Sequence, residues 1–172
     1  MGVPFEVRPA GVEEETRGEP GAVAAENARR KALASGAASG ELVLGADTIV
    51  AVDGEILGKP RDAAQAREYL GRLAARRHEV VGGIALASGG TVVASAVVVT
   101  GVDFRAVGPE VLDWYVATGE WEGRAGGYAI QGRGAALVAG VWGDYLNVVG
   151  LPLARLLELR PELLPGASTA AG

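Results

Sequence analysis

Asp47 is the residue of this sequence best suited to chemistry. It stands between the apolar run 42–46 and the β-rich run 48–52, so a carboxylate interrupts a segment that otherwise predicts a strand. A carboxylate in such a place must be desolvated unless it meets a cation, a metal or solvent at a cleft. The spacing is consistent with a functional site, and also with an aspartate in a turn that is hydrogen-bonded to its own backbone.

Two lysines stand out in a chain that otherwise uses arginine. Of the 16 lysines and arginines, Lys31 and Lys59 are the two lysines. Lysine is a compact point charge that can settle against a phosphate, whereas arginine is a rigid planar fork. Lys31 lies one turn from the end of a predicted helix, on the same side as Asn27. We interpret both lysines as candidate phosphate contacts, with a solvated surface position or chance as the alternative.

Two further segments carry candidate ligands. Glu14 belongs to an acidic loop with Glu13 and Glu15, which could supply metal or water ligands or could simply be solvated. Gln131 lies in a glycine-dense segment, 122–134, and its amide offers the donor and acceptor that reading a base edge requires. A hairpin amide is the alternative. His78, the single histidine, is interpreted as structural because no cysteine and no nucleophile elbow accompany it.

Composition narrows the function classes. The 172 residues predict one domain with a real core. A net charge of −5 argues against a polymeric nucleic acid partner but leaves room for a small anionic ligand. The absence of cysteine fits a reducing compartment, so we expect the cytoplasm. The apolar runs are far shorter than the roughly 20 residues that cross a bilayer, and we expect no membrane contact.

The elements that must position these residues alternate along the chain. The predicted helices cover 22–35, which follows Pro20, 63–76, 109–118 and 152–160. The predicted strands cover 5–8, 41–46, 48–52, 78–87, 91–99 and 137–142, with 143–150 as a connector. Turn signals at Asp53-Gly54 and at 88–90 predict hairpins. We therefore predict a single α/β domain over 1–160, a mixed twisted sheet flanked by helices, and a flexible tail over 161–172.

Four motifs, in register over nearly all of the chain, resemble the Maf family of nucleotide pyrophosphatases. They are GADTIVAVDGEILGKPRDAAQA from Gly45, VVVTGVDFR from Val97, AGGYAIQGRGA from Ala125 and GDYLNVVGLPL from Gly143. The resemblance implies an α/β fold with a nucleotide-binding cleft, often in a homodimer. It also implies cleavage of a nucleoside triphosphate between its α and β phosphates, with a divalent cation, magnesium or manganese, as cofactor.

The resemblance also assigns roles to individual residues. By that resemblance, Asp47 matches the family's proton acceptor and Glu14 matches a cleft carboxylate. Lys31 and Lys59 match phosphate contacts, and Thr48 with Gln131 match the residues that choose the base. Asp47 could hold the metal, orient the water or take its proton, and Asp47 and Glu14 are the candidate metal ligands. A related branch that hydrolyses 7-methyl-GTP carries Glu at the position of Gln131. The resemblance therefore implies dTTP and UTP as substrates.

The chain departs from the family pattern at its front. Family members usually open with a strand and a Ser-Pro-Arg-Arg loop before the stretch that matches Gly2–Phe5. We expect a start codon that was placed too late rather than a true truncation. If the loop is truly missing, the alternative function is a non-catalytic nucleotide-binding regulator linked to cell division.

Overall fold

The computed structural model describes residues 3–34, 36 and 40–164, and its centre is a five-stranded sheet. The strands are β1 (Val43–Val52), β2 (Glu55–Leu57), β3 (Arg77–Ser88), β4 (Thr91–Phe104) and β5 (Val138–Trp142). They are ordered β2-β1-β3-β4-β5, and every pair in the described residues is antiparallel. The β1–β2 and β3–β4 hairpins turn at the predicted places, where Gly54, Gly89 and Gly90 have positive φ.

Helices cover both faces of this sheet. They are α1 (Pro20–Ala34), α2 (Ala63–Leu73), α3 (Pro109–Ala117), α4 (Tyr145–Val149) and α5 (Leu153–Leu159), with short 3₁₀ turns at Ala125–Gly127, Arg133–Leu137 and Pro161–Leu163. Asp62 caps α2 by accepting a hydrogen bond from the backbone N–H of Gln65. In the described part of the chain, no helix is both long enough and apolar enough to cross a membrane.

Helix α1 lies unusually close to one face of the sheet because glycines face it. A Cβ atom on Gly83 would lie 2.2 Å from the carbonyl oxygen of Ala24, and one on Gly45 would lie 2.2 Å from that of Ala28. No larger residue fits at either position without moving the helix. The α1 side chains that meet the sheet are correspondingly small, such as Ala28 and Ala32. This close contact brings the polar residues of α1 within reach of β1.

The opposite face carries two separate apolar clusters. One gathers Val80 and Leu70 around the fully buried Tyr115, with α2, α3 and β5. The other packs Ile84 against Leu156 of α5. A cleft opens beside the first cluster.

The predicted fold class is confirmed, with several local differences. The domain is α/β and its sheet is flanked by helices, but the described strands contain no parallel pair, so the mixed strand sense is not found there. The predicted strand at 5–8 is wrong: the segment forms no ladder, Phe5 is 84% exposed, and Arg8 instead pairs with Glu6 and Glu41. Four alternating residues cannot form a strand unless a neighbouring strand pairs with them.

Other helix and strand boundaries differ from the predicted ones for identifiable reasons. Helix α2 ends three residues early because Ala75 adopts φ 57°. β4 continues to Phe104 because it pairs there with β5. The predicted connector at 143–150 contains α4, capped by Asp144. Within the predicted tail, Pro161–Leu163 forms a 3₁₀ turn and 165–172 lie outside the described residues, as do residues 1, 2, 35 and 37–39.

Candidate active site

Four of the residues singled out in the sequence form one chain of alternating charge. The Nζ atom of Lys31 lies 2.6 Å from Oδ1 of Asp47 and 2.7 Å from Oε1 of Glu14. The other oxygen of Glu14, Oε2, lies 3.2 Å from Nζ of Lys59. The structure therefore brings Asp47, Lys31, Glu14 and Lys59 together, although the first and last belong to different parts of the β1–α2 region and Glu14 belongs to the N-terminal loop.

Asp47 occupies the middle of a continuous strand rather than the end or kink that the sequence suggested. It pairs with Gly83 of β3, and its side chain is 8% exposed on the face that α1 covers. Its oxygen Oδ2 accepts a hydrogen bond of 3.0 Å from Nδ2 of Asn27. The buried carboxylate is thus held by an ammonium on one oxygen and an amide on the other, which is how its desolvation cost is offset.

Asn27 also fixes the acidic loop onto α1. Its Oδ1 accepts from the backbone N–H of Glu15 at 2.7 Å, and its Nδ2 donates to the Glu15 carbonyl at 3.0 Å. Arg30, three residues further along α1, pairs with the Glu15 carboxylate. Because Asn27 holds the backbone of Glu15 and Arg30 holds its carboxylate, the neighbouring Glu14 is directed at Lys31.

The ion pairs favour the charged forms of Glu14 and Lys31. The hydrogen bond from Lys31 holds the pKa of the Glu14 carboxyl below its usual range, although partial burial opposes this. Partial burial is the largest single influence on the Lys31 ammonium and acts to lower its pKa, but hydrogen bonds to Asp47 and Glu14 raise the pKa overall. Lys31 is therefore a permanent cation between two carboxylates.

A cleft of about 640 Å³ extends from Asp47 across the opposite face of the sheet. Its walls are β1, β3, the segment 119–132 and the end of α4. Thr48, Lys59 and Gln131 all line it together with Asp47. The volume is within the range of small-ligand sites. Lys31 and Glu14 line the neighbouring cavity instead, so the charge chain runs from one cavity into the other.

The glycine-dense segment forms the outer wall of the cleft. Gly126 adopts φ 67°, and a Cβ there would lie 2.8 Å from Val50 at the cleft floor. Its backbone N–H donates to the carbonyl of Gly58 at 3.1 Å, which ties this wall to the turn that carries Lys59. Gln131 follows on the same segment and is exposed at the cleft.

Three residues near the site were not chosen as site residues from the sequence. Asn27 could have been, because it lies four residues before Lys31 on the same helical face. Arg124 and Glu120 line the cleft from the glycine-dense wall and the turn before it. Their sequence signal was weak, since charged residues in loops are usually solvated.

His78 is buried, as its structural interpretation required. It is 2% exposed, its Nε2 lies 2.9 Å from the hydroxyl of Tyr128, and its ring meets Phe104 edge-on. Burial lowers its pKa to about 4. Tyr128 lines the cleft, so His78 lies behind the cleft wall rather than in it.

Two carboxylates of the described site could supply oxygen ligands to a metal. In the ranges 3–34 and 40–164, no three His, Cys, Asp or Glu side chains are grouped so that they could hold an ion. Asp47 and Glu14 contact the same ammonium, so two carboxylates do converge. Two carboxylates match the manner in which magnesium is bound beside substrate phosphates, where phosphate oxygens and water complete the shell.

Residues 1–162 match the family described as Maf-like protein, and the chain belongs to the Maf family. A protein of Anaeromyxobacter sp. (strain Fw109-5) named dTTP/UTP pyrophosphatase is 50% identical over 165 residues, 92% of this chain and 79% of its own length. Proteins with the same name from Symbiobacterium thermophilum and Moorella thermoacetica are 48% and 45% identical, covering 92% of this chain and 83% and 84% of theirs.

Proposed function

We propose that this protein is a nucleoside triphosphate pyrophosphatase that hydrolyses dTTP and UTP to the monophosphate and pyrophosphate. The observation that carries the proposal is Asp47, a nearly buried carboxylate at the mouth of a nucleotide-sized cleft, held between Lys31 and Asn27. The names of the curated relatives support the same reaction. They do not favour the alternative of a non-catalytic regulator.

The reaction needs a base and an anchored water. Water adds to a phosphorus beside the α–β bridging oxygen, the bond from that phosphorus to the bridging oxygen breaks, and the water proton passes to Asp47. Each carboxylate oxygen has about two lone-pair sites. The hydrogen bonds from Lys31 and Asn27 occupy one site on each oxygen, so a site remains for the water.

The lysines would bind the phosphates. Lys59 lines the cleft and is 56% exposed, so its ammonium can turn from Glu14 to an incoming phosphate. Lys31 is less exposed and fixed between two carboxylates, and its charge supports the phosphate nearest to Asp47. Fixed cations beside a transferring phosphoryl group stabilise the charge that develops on its oxygens.

We propose Asp47 and Glu14 as the ligands of a divalent cation of the magnesium or manganese type. Their convergence on one ammonium supports this assignment. When bound, the cation would offset phosphate charge and polarise the phosphorus–oxygen bonds. Manganese binding measured by paramagnetic resonance on the protein alone tests the assignment. Asp47→Asn and Glu14→Gln should each weaken it, and unchanged affinity in both would remove these ligands from the proposal.

We propose that Thr48 and Gln131 choose the base. Both line the cleft, and the Gln131 amide can donate to and accept from the edge of uracil or thymine. The cytoplasm, where nucleoside triphosphates are abundant, is the compartment that we propose for the reaction.

The deciding experiment measures pyrophosphate release from dTTP, UTP, CTP, GTP and 7-methyl-GTP with magnesium or manganese. We expect turnover that favours dTTP and UTP. Asp47→Asn should abolish turnover and leave nucleotide binding measurable, whereas Asp53→Asn, which alters a carboxylate in the turn after the same strand, should leave turnover unchanged. Full activity in Asp47→Asn would exclude it as the base.

We also propose a homodimer, with β4 as the contact. Its segment 91–100 has no paired strand on its outer edge in the described residues, because β5 begins to pair at Gly101. This segment carries no charge, and Val93, Val97 and Val99 are 51%, 41% and 54% exposed on one face. An uncharged apolar edge strand can pair in the antiparallel sense with the same strand of a second copy. Sedimentation equilibrium should show a dimer that Val97→Lys dissociates, and a monomeric unchanged protein would exclude it.

A further inference from the structure

The side chain of Gln131 depends on its backbone for its direction. It is exposed at the cleft, and within the described residues it makes no hydrogen bond. The backbone on either side of it, however, is anchored. The hydroxyl of Tyr115 accepts from the N–H of Ala129 at 3.0 Å, and Oε2 of Glu120 accepts from the N–H of Arg133 at 2.7 Å. The two anchors bracket Gln131 at two residues before and two residues after it.

One anchor, Tyr115, belongs to the end of α3, and the other, Glu120, belongs to the turn that follows it. Tyr115 is fully buried in the last turns of α3. The hydroxyl of Thr118 donates to the Tyr115 carbonyl at 2.6 Å and accepts from the backbone N–H of Glu120 at 3.1 Å. The Trp121 indole donates to the carbonyl of Val116 at 3.0 Å. Glu120 is therefore fixed relative to Tyr115, and the two anchors act as one rigid support.

The carboxylate of Glu120 fits closely against the turn that it holds. A Cβ on Gly132 would lie 2.4 Å from Oε2 of Glu120, so the carboxylate packs directly on the backbone of that residue. A second N–H, that of Gly134, lies 3.4 Å from the same oxygen. The Arg133 guanidinium lies 3.7 Å from Oε1. Backbone N–H bonds to a carboxylate are charge-assisted, and they are stronger than bonds to a neutral acceptor.

We propose that Glu120 is a positioning residue for base selection, acting through Gln131. This inference rests on the proposed pyrophosphatase function and adds a determinant of substrate choice. The turn 131–134 directs the Gln131 amide towards the base only while Glu120 anchors the backbone of the turn. Loss of the anchor lets the amide sample several directions. Discrimination between uracil or thymine and other bases then falls, while Asp47 and the lysines remain in place.

The test compares Glu120→Ala and Glu120→Gln with Glu110→Gln, which removes an exposed carboxylate from the other end of α3. We expect Glu120→Ala to lower kcat/KM for dTTP by about tenfold, mainly through KM, because one charge-assisted hydrogen bond is lost. Selectivity for dTTP over CTP and GTP should fall with it. Glu120→Gln keeps an acceptor oxygen and should be intermediate, and Glu110→Gln should match the unchanged protein.

A double-mutant cycle separates positioning from a structural effect. If Glu120 acts through Gln131, Glu120→Ala should change selectivity little in a Gln131→Ala background. Full additivity, or selectivity unchanged by Glu120→Ala, would overturn the inference. A lowered melting temperature with intact selectivity would also count against it.

The outcomes for this inference and for the proposed function are distinguishable. Calorimetry with a non-hydrolysable α,β-imido analogue of dUTP, and with the matching CTP analogue, reads base selection without turnover. A protein that binds dUTP selectively but does not cleave dTTP removes the proposed reaction and still tests Glu120. A protein that neither binds nor cleaves any nucleotide overturns both.

Discussion

Asn27 and Asp47 are 20 residues apart in the sequence, and a 3.0 Å hydrogen bond joins the amide of the first to the carboxylate of the second. The same amide holds the backbone of Glu15 through two further bonds. One buried side chain therefore connects helix α1, strand β1 and the acidic loop. Together with Lys31 and Arg30, this amide sets the position of Glu14 relative to Asp47.

Asn27→Ala should lower both stability and activity. It leaves one oxygen of the Asp47 carboxylate, which is 8% exposed, without its partner, at a cost of about 1–3 kcal/mol. It also removes the two bonds that hold the backbone of the exposed Glu15. We expect the free energy of unfolding, measured with urea, to fall by at least about 2 kcal/mol. Arg29→Ala, an exposed change on the same helix, serves as control. Equal stability of the two variants would contradict the connecting role of Asn27.

Gly83→Ala should be among the most damaging small substitutions. The new Cβ would lie 2.2 Å from the Ala24 carbonyl oxygen, so α1 must move away from the sheet and carry Lys31 from Asp47. We expect a loss of about 3 kcal/mol or more, beyond the usual range for a surface change. Gly71→Ala in α2 is the matched control: nothing lies within 4 Å of its Cβ, and the helix should gain about 0.5–1 kcal/mol. A well-tolerated Gly83→Ala would contradict the close packing.

Protonation of the buried His78 should lower the stability of the protein at a higher pH than protonation of its carboxylates does. Burial lowers its pKa from 6.5 to about 4, with Asp103 opposing weakly. Between pH 6.5 and 4, His78 therefore binds a proton in the unfolded chain but stays neutral in the folded protein. Stability should fall by about 3 kcal/mol as pH falls through that window. The depressed pKa of Asp103 contributes only below its ordinary value of 3.8. His78→Gln should flatten the profile between pH 4 and 6.5, and an unchanged profile would exclude His78 as its source.

Replacing Lys31 and replacing Lys59 should affect stability and turnover differently. Lys31→Ala leaves Asp47 and Glu14 facing each other without a cation, so we expect loss of turnover together with about 2 kcal/mol of stability. Lys59→Ala removes a half-exposed pair worth at most about 1 kcal/mol, and its effect should appear as a raised KM for dTTP. Steady-state kinetics and urea unfolding of both variants check this. A destabilised Lys59→Ala would show that the lysine supports the fold.

Gln131→Glu should shift base choice. A carboxylate at this position cannot donate to the edge of uracil, but it attracts the positively charged ring of 7-methyl-GTP. We expect the ratio of kcat/KM for 7-methyl-GTP over dTTP to rise by about tenfold or more. Gln65→Glu, outside the cleft, is the control. An unchanged ratio would remove Gln131 from base selection.

The structure brings the candidate residues of the sequence together, but the sequence did not predict their surroundings. An aspartate in an apolar run signalled Asp47 because desolvation demands a partner, and the four-residue spacing on α1 placed Asn27 beside Lys31. That Asp47 lies in mid-strand was not predictable, since the compensating groups come from a helix and a loop that only tertiary packing brings together. The anchor at Glu120 could not be foreseen either, because its partners are backbone N–H groups, which every sequence supplies. The predicted strand at 5–8 failed for a similar reason, since pairing depends on a neighbour rather than on propensity.

The pairing of Lys31 and Lys59 with Glu14 means that the site is already neutralised by the protein itself. An incoming anion has to compete with these resident carboxylates for the same ammonium groups. A triphosphate competes with several negative charges, whereas a monophosphate carries at most two. We expect the internal competitor to favour departure of the nucleoside monophosphate after cleavage. Product inhibition by dTMP should accordingly be weak in the unchanged protein and stronger in Glu14→Gln, and tight dTMP inhibition in the unchanged protein would refute this consequence.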